Sequence, residues 1–145
     1  MRNSSLEGRR FTTAVIAELD PASGALAYVN AGHNPPALRR ANGRIEPLET
    51  GGLPLGIQAG ADYETGALTL ARGDRLVVYT DGVVEAQNAR QEEYGEARLI
   101  ELLRGGAEES AAETLRRVLS AVDAFVGDAA RFDDVTCLVL RYAST

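Results

Sequence analysis

Two stretches of this chain are apolar at consecutive positions, Leu76-Val77-Val78-Tyr79-Thr80 and Val135-Thr136-Cys137-Leu138-Val139-Leu140. A strand with one wet face alternates apolar with polar residues, so a run without alternation reads as a strand covered on both faces. Both runs are expected to be central strands, and the rest of the chain must supply cover for two sides of a sheet. Acids stand at the mouth of each run: Asp81-Gly82 closes the first and Asp133-Asp134 opens the second. If the strands are antiparallel neighbours, the end of one and the start of the other meet at one sheet edge and the carboxylates converge. Two readings fit this placement. Aspartate commonly makes turns at strand ends. Alternatively, carboxylates held a few Å apart raise one another's pKa unless a cation neutralises them, and an oxygen-only ligand set suits Mg²⁺ or Mn²⁺. The Asp-Gly step favours the second reading, because glycine lets another backbone come close.

With 145 residues the chain has enough length for one domain with a single core. The formal charge is −6 and all 15 cationic side chains are arginines, scattered without a basic run. That balance argues against nucleic acid as a partner. Cys137 is the single cysteine and lies inside an apolar run, so it reads as a small core residue of a protein in a reducing compartment. No stretch has the twenty or so apolar residues of a membrane span, and Met1-Arg2-Asn3-Ser4-Ser5 lacks an apolar signal core. The expectation is a soluble cytoplasmic protein with no membrane partner.

Phe11 to Leu19 and Ala25 to Ala31 are rich in strand formers and flank the turn cluster Asp20-Pro21-Ala22-Ser23-Gly24, which predicts a hairpin. Ala37 to Arg40 and Arg44 to Leu48 form a second pair around Asn42-Gly43. Gly51-Gly52-Leu53-Pro54-Leu55-Gly56 reads as a loop, and Tyr63 to Leu70 as a strand. The period then changes. Leu99, Ile100, Leu102 and Leu103 share a helical face within Glu96 to Arg104. Ser110 and Glu113 make a capping box for a second helix with the stripe Leu115, Val118, Leu119, Val122 and Phe125, ended by Gly127. Antiparallel strands, two helices and a last buried strand predict an α+β fold of antiparallel sheets layered with helices.

Four segments in order carry a resemblance: Asn30-Ala31-Gly32-His33-Asn34-Pro35-Pro36, Gly52-Leu53-Pro54-Leu55-Gly56, Tyr79-Thr80-Asp81-Gly82-Val83-Val84-Glu85-Ala86 and Phe132-Asp133-Asp134-Val135-Thr136. Together they resemble the bacterial PPM-type (protein phosphatase 2C-like) serine/threonine phosphatases. The branch is that of the stage II sporulation phosphatase and the stress-response phosphatases of partner-switching pathways. The resemblance implies part of an α-β-β-α sandwich over residues 11–142, preceded by a linker-like or disordered stretch over residues 1–10. It implies a two-metal Mn²⁺ or Mg²⁺ centre with Asp81 and Asp133 as catalytic metal-ligand positions and Asp134 as a further metal position. Gly82 and His33 are loop contributors by the same likeness. The implied reaction is attack of metal-activated water on phosphoserine or phosphothreonine, without a covalent enzyme intermediate. The implied partner is a phosphorylated protein of the anti-sigma factor antagonist type.

One departure matters. The family's first segment carries a Gly-Asp-Val-Ser-Gly-His-Gly-like motif, and nothing in this sequence matches it. The chain is therefore expected to correspond to the C-terminal portion of the domain, with an incomplete metal centre and little activity alone. It is also expected to have an uncovered sheet through which two copies pair. The alternative is a catalytically inactive phosphatase-like module that binds proteins. His33, the Pro35-Pro36 step and the Gly51 to Gly56 loop read as shape-setting rather than catalytic. The charged segment Val83 to Gly95 reads either as a solvated loop or as a mobile regulatory element.

Overall fold

The computed structural model describes residues 10–131 and 133–143. The linker-like stretch expected over residues 1–10 lies, except for Arg10, outside the described residues. Two predicted hairpins are present, β1 (Ala14–Leu19) with β2 (Ala25–Ala31) and β3 (Ala37–Arg39) with β4 (Ile45–Pro47), each antiparallel. The glycine-rich loop contains a two-residue strand, β5 (Gly51–Gly52), parallel to β2, and β6 (Gly66–Thr69) pairs antiparallel with β2. These make a first sheet centred on β2.

The second sheet has the order β4-β3-β7-β8, with β7 at Arg75–Tyr79 and β8 at Cys137–Arg141. Between them the chain forms a short helix α1 (Asp81–Val84), then α2 (Glu96–Arg104) and α3 (Ala111–Val126). Successive side chains of β7 serve two cores, as strand geometry requires. Leu76 joins Leu26, Tyr28, Leu38, Leu70 and Tyr142 between the sheets. Val77 and Tyr79 join Leu99, Leu103, Val118 and Val122 under the helices. The layers are therefore sheet, sheet and helices, which is the predicted α+β class.

The predicted capping box at Ser110 is present, and Gly127 ends α3 with a φ of 58°. The buried line of α3 runs through Thr114, Val118, Val122 and Val126, so the axis is rotated slightly from the predicted stripe. Thr114 is drawn inward because its hydroxyl accepts from Arg75 Nη1 at 2.5 Å and donates to Glu109 at 3.2 Å.

The expectation for β8 needs correcting. β7 is central as predicted, but β8 pairs only with β7 and forms the sheet edge. Its unbroken apolar run has another cause. Cys137 and Val139 pack toward the helices and Leu140 toward the other sheet, while Leu138 is 57% exposed. Ile16 on the edge strand β1, 65% exposed, is likewise open to solvent.

The last carbonyls of a helix lack intrahelical partners and carry partial negative charge. In α2 two arginines meet them, and a third bonds the loop just beyond. Arg39 donates from Nε to Leu103 O at 2.7 Å and from Nη2 to Arg104 O at 2.9 Å. Arg117 donates to Leu102 O at 2.5 Å, and Arg75 donates to Gly106 O. Arg75 is fully buried, and burial lowers its pKa. Glu109 supplies the counter-charge, 3.2 Å from Arg75 and 2.8 Å from Arg117. Arg75→Met should therefore cost about 3 kcal/mol of unfolding free energy in denaturant titration, because it strands buried carbonyl and hydroxyl partners. Arg75→Lys, which lacks the planar fork, should recover only part of the loss.

Candidate metal-side cleft

The β7–β8 ladder runs from Arg75↔Arg141 to Tyr79↔Cys137 and continues one pair further. The Thr80 amide donates to Thr136 O at 3.0 Å, and the Thr136 amide donates to the Thr80 hydroxyl at 3.1 Å. A side-chain oxygen thus replaces the ladder carbonyl, and the backbone turns away into α1. Asp81 is the first residue past this lock and Asp133-Asp134 lie just before it on the other strand. The predicted meeting of the two acidic segments at one sheet edge is what the register produces.

Gly82 is buried at the point of closest approach. A Cβ there would stand 2.0 Å from Asp134 O and 3.3 Å from Val135 Cα. Only a residue without a side chain lets the two acid-bearing backbones touch.

Asp81, Asp133 and Asp134 line one cleft of about 300 Å³ together with Thr13, His33, Asn34, Thr80 and Thr136. All three acids are exposed. The Asp133 carboxylate accepts from the Asp134 amide at 2.8 Å, which sets that chain reversal. The Asp133 bond agrees with the turn reading, and the shared cleft is the placement that the metal reading requires. Asn34 was absent from the predicted site. Its Nδ2 donates to Asp81 Oδ1 at 2.5 Å, a contact 47 positions apart in sequence. Its adjacency to His33 in the Asn30 to Pro36 segment is the available signal, but nothing local marks an asparagine as reaching across to another strand.

His33 also reaches the cleft, beyond what its shape-setting reading required. Its Nδ1 lies 2.8 Å from Asn34 O; a carbonyl only accepts, so Nδ1 carries the proton. The loop is pinned from below by buried Asn30, whose amide donates to His33 O and Leu48 O and whose Oδ1 accepts from the His33 amide. Gly32, with φ of 69°, packs against Pro54: a Cβ there would meet the ring at 2.3 Å. The shape-setting reading of the Gly51 to Gly56 loop agrees with this contact.

The electrostatics of the region are one-signed. Glu85 is held above the ordinary carboxylate range by the Asp81 charge first, then by burial, Glu93 and Asp133. Tyr79, beneath the acids, is pushed up to about 12 by burial, with Glu96 and Asp81 adding to it. The donor chemistry at Asp81, Asp133 and Asp134 fits a hard divalent cation. The donor number does not complete a site: among the described residues, no three acidic, histidine or cysteine side chains group closely enough to hold a metal ion.

Comparison with known proteins adds to this picture. A family model described as Stage II sporulation protein E (SpoIIE) matches residues 2–143. The phosphoserine phosphatase RsbP of Bacillus subtilis is 33% identical over 79 residues, which is 54% of this chain and 20% of that protein. The crystal structure of the RsbU and RsbW domains of Rv1364c from Mycobacterium tuberculosis is 31% identical with a TM-score of 0.70, over 92% of this chain and 38% of that one. The manganese-soaked phosphatase domain of the cell-fate determinant SpoIIE from Bacillus subtilis matches with a TM-score of 0.72 and 20% identity, over 92% of this chain and 57% of that one. The fold is that of PP2C-type phosphatase domains, and the chain spans 20% of the length of the curated relatives it matches.

Two outcomes follow from the geometry. Gly82→Ala forces the acidic segments apart and should lower stability by about 2 kcal/mol, read as a shifted denaturation midpoint. For Glu85, a raised folded-state pKa means a stability contribution present below its unfolded pKa and lost as pH rises through the folded value. Glu85→Gln should therefore raise the melting temperature relative to the parent at pH 7–8, and the difference should vanish below about pH 4.

Proposed function

Because the chain belongs to the stage II sporulation protein E (SpoIIE) family, we propose that it carries part of a metal-dependent site for hydrolysing phosphoserine or phosphothreonine in a protein. The observation that carries this reading is the shared cleft of Asp81 and Asp133 at the ends of neighbouring strands. The name of RsbP as a phosphoserine phosphatase supports the reaction class, and the manganese-soaked SpoIIE domain supports the cation. The resemblance to the stress-response branch makes an anti-sigma factor antagonist the proposed substrate.

In this reading Asp81 and Asp133 would hold Mn²⁺ or Mg²⁺, with Asp134 as a further position beside them. When bound, the ion supplies positive charge against the phosphate and activates water. The chain's own residues set the position of that charge. Asn34 holds one Asp81 oxygen and so orients the carboxylate. The Thr80–Thr136 lock and the Gly82 contact fix the spacing of the two acid-bearing segments. His33 keeps Asn34 in place through the carbonyl it bonds. The incomplete donor set among the described residues favours a second reading, a phosphatase-like module that binds a phosphoprotein without turning it over.

Mn²⁺ titration calorimetry with p-nitrophenyl phosphate hydrolysis separates these. Weak Mn²⁺ binding, abolished by Asp81→Asn and by Asp133→Asn and weakened about tenfold by Asn34→Ala, supports the metal assignment. Binding untouched by both aspartate changes would refute it. Turnover by this polypeptide should be slow; phosphopeptide binding with no turnover at all would favour the binding module.

A further inference from the structure

A second cavity, of about 180 Å³, shares Asp133 with the cleft. It lies between the segment leaving α1 and the C-terminal end of α3. Its floor is apolar, with Ala86, Val122, Val126 and Val135, and its rim carries Glu85, Glu93 and Asp133. Arg131 is the single cation among the lining residues, and it is already paired with Asp123 on α3. Three carboxylates thus face one rim, and the lone lining cation is engaged elsewhere. A guest that supplied positive charge at the rim would relieve their repulsion.

The composition of the walls selects the guest. An anionic side chain would meet Glu85 and Glu93 beside an Asp133 committed to the cleft. A purely apolar one would fill the floor but take water from the rim acids without replacing it. Arginine and lysine combine an aliphatic stem that covers apolar surface with a charged head that stays at the wet rim, and the planar guanidinium matches carboxylate geometry. The cavity and the cleft share Asp133 and meet at Gly82 and Asp81, so a chain seated in both is short.

We infer that this cavity is a substrate-specificity pocket that receives an arginine side chain close in sequence to the phosphorylated residue of the protein substrate. The inference rests on the cleft being the phosphate site. It adds a preference that the metal chemistry does not impose: basic residues flanking the phosphoserine strengthen binding.

The test uses phosphoserine peptides in which one flanking position at a time carries arginine or its neutral isostere citrulline. Binding to the chain is read by fluorescence anisotropy and phosphate release in parallel. At the favoured position arginine should bind about fivefold tighter than citrulline, as one rim ion pair allows. Glu93→Gln and Glu85→Gln should each reduce that preference. Ala130→Leu, at the exposed mouth, should reduce binding of the arginine peptide with the rim charges intact. Equal affinity for arginine and citrulline at every position would overturn the pocket, as would a preference untouched by all three changes. A lysine peptide binding as well as arginine would keep the pocket and remove the fork geometry. An arginine preference without any phosphate release would sink the catalytic reading alone; release without preference would sink the pocket alone.

Discussion

The pairing of β7 with β8 is the constraint on which the rest of the cleft depends. Antiparallel register places the end of one strand beside the start of the other, and the Thr80–Thr136 pair closes the ladder with a hydroxyl where a carbonyl would stand. Immediately beyond it, the absence of a side chain at Gly82 lets the Asp134 carbonyl approach to a distance that any other residue would block. Two exposed acids from segments more than fifty positions apart are thereby brought to one cleft. The loop that brings Asn34 to Asp81 is fixed in a different way, by buried Asn30 bonding the carbonyl and the amide of His33 and by Gly32 against Pro54.

The helix layer is attached to this frame by charge as well as by apolar packing. Arg39 and Arg75 are paired residues on β3 and β7, and with Arg117 of α3 they converge on the carbonyls at the end of α2 and, for Arg75, on Gly106 just beyond it. A buried guanidinium is costly unless its donors are used, and here the Gly106 carbonyl, Thr114 and Glu109 take both terminal nitrogens of Arg75, while its Nε has no partner among the described residues. The arrangement fixes α2 and α3 relative to the second sheet. It thereby fixes the far wall of the cavity beside Asp133, whose floor residues Val122 and Val126 belong to α3.

Much of this was legible in the sequence because the signals are local or periodic. The capping box at Ser110, the glycine stop at Gly127, the Asn42-Gly43 hairpin and the two apolar runs need only neighbouring residues to be read. The antiparallel meeting of Asp81 with Asp133 followed from the order of acid and strand in each run. The position of β8 did not follow, since an apolar run reports low polarity on two faces and not how many strands lie beside it. Leu138 is apolar and yet open. Asn34 was missed for a related reason: its bond to Asp81 is tertiary, and asparagine in a Gly- and Pro-rich loop is equally at home making turns. The pocket floor mixes residues read as helix stripe with residues read as solvated loop, so neither description reveals the concavity between them.

The balance of charge around the cleft explains why one region could serve both a cation and a basic side chain. Asp81 first, then burial, Glu93 and Asp133 raise the proton affinity of Glu85, so the folded chain holds negative charge there at a cost. The chain carries a net charge of −6, yet its arginines are spent elsewhere: Arg39, Arg75 and Arg117 on the end of α2, Arg40 on Asp74 and Glu46, and Arg131 on Asp123. Residual negative potential in a cleft attracts cationic partners and weakens with ionic strength. A divalent ion placed between Asp81 and Asp133 would cancel most of it on the cleft side and leave Glu85 and Glu93 facing the cavity. The two walls of Asp133 would then differ in sign of demand, phosphate on the metal side and guanidinium on the other. That polarity would orient a phosphopeptide with a basic flank in one direction only.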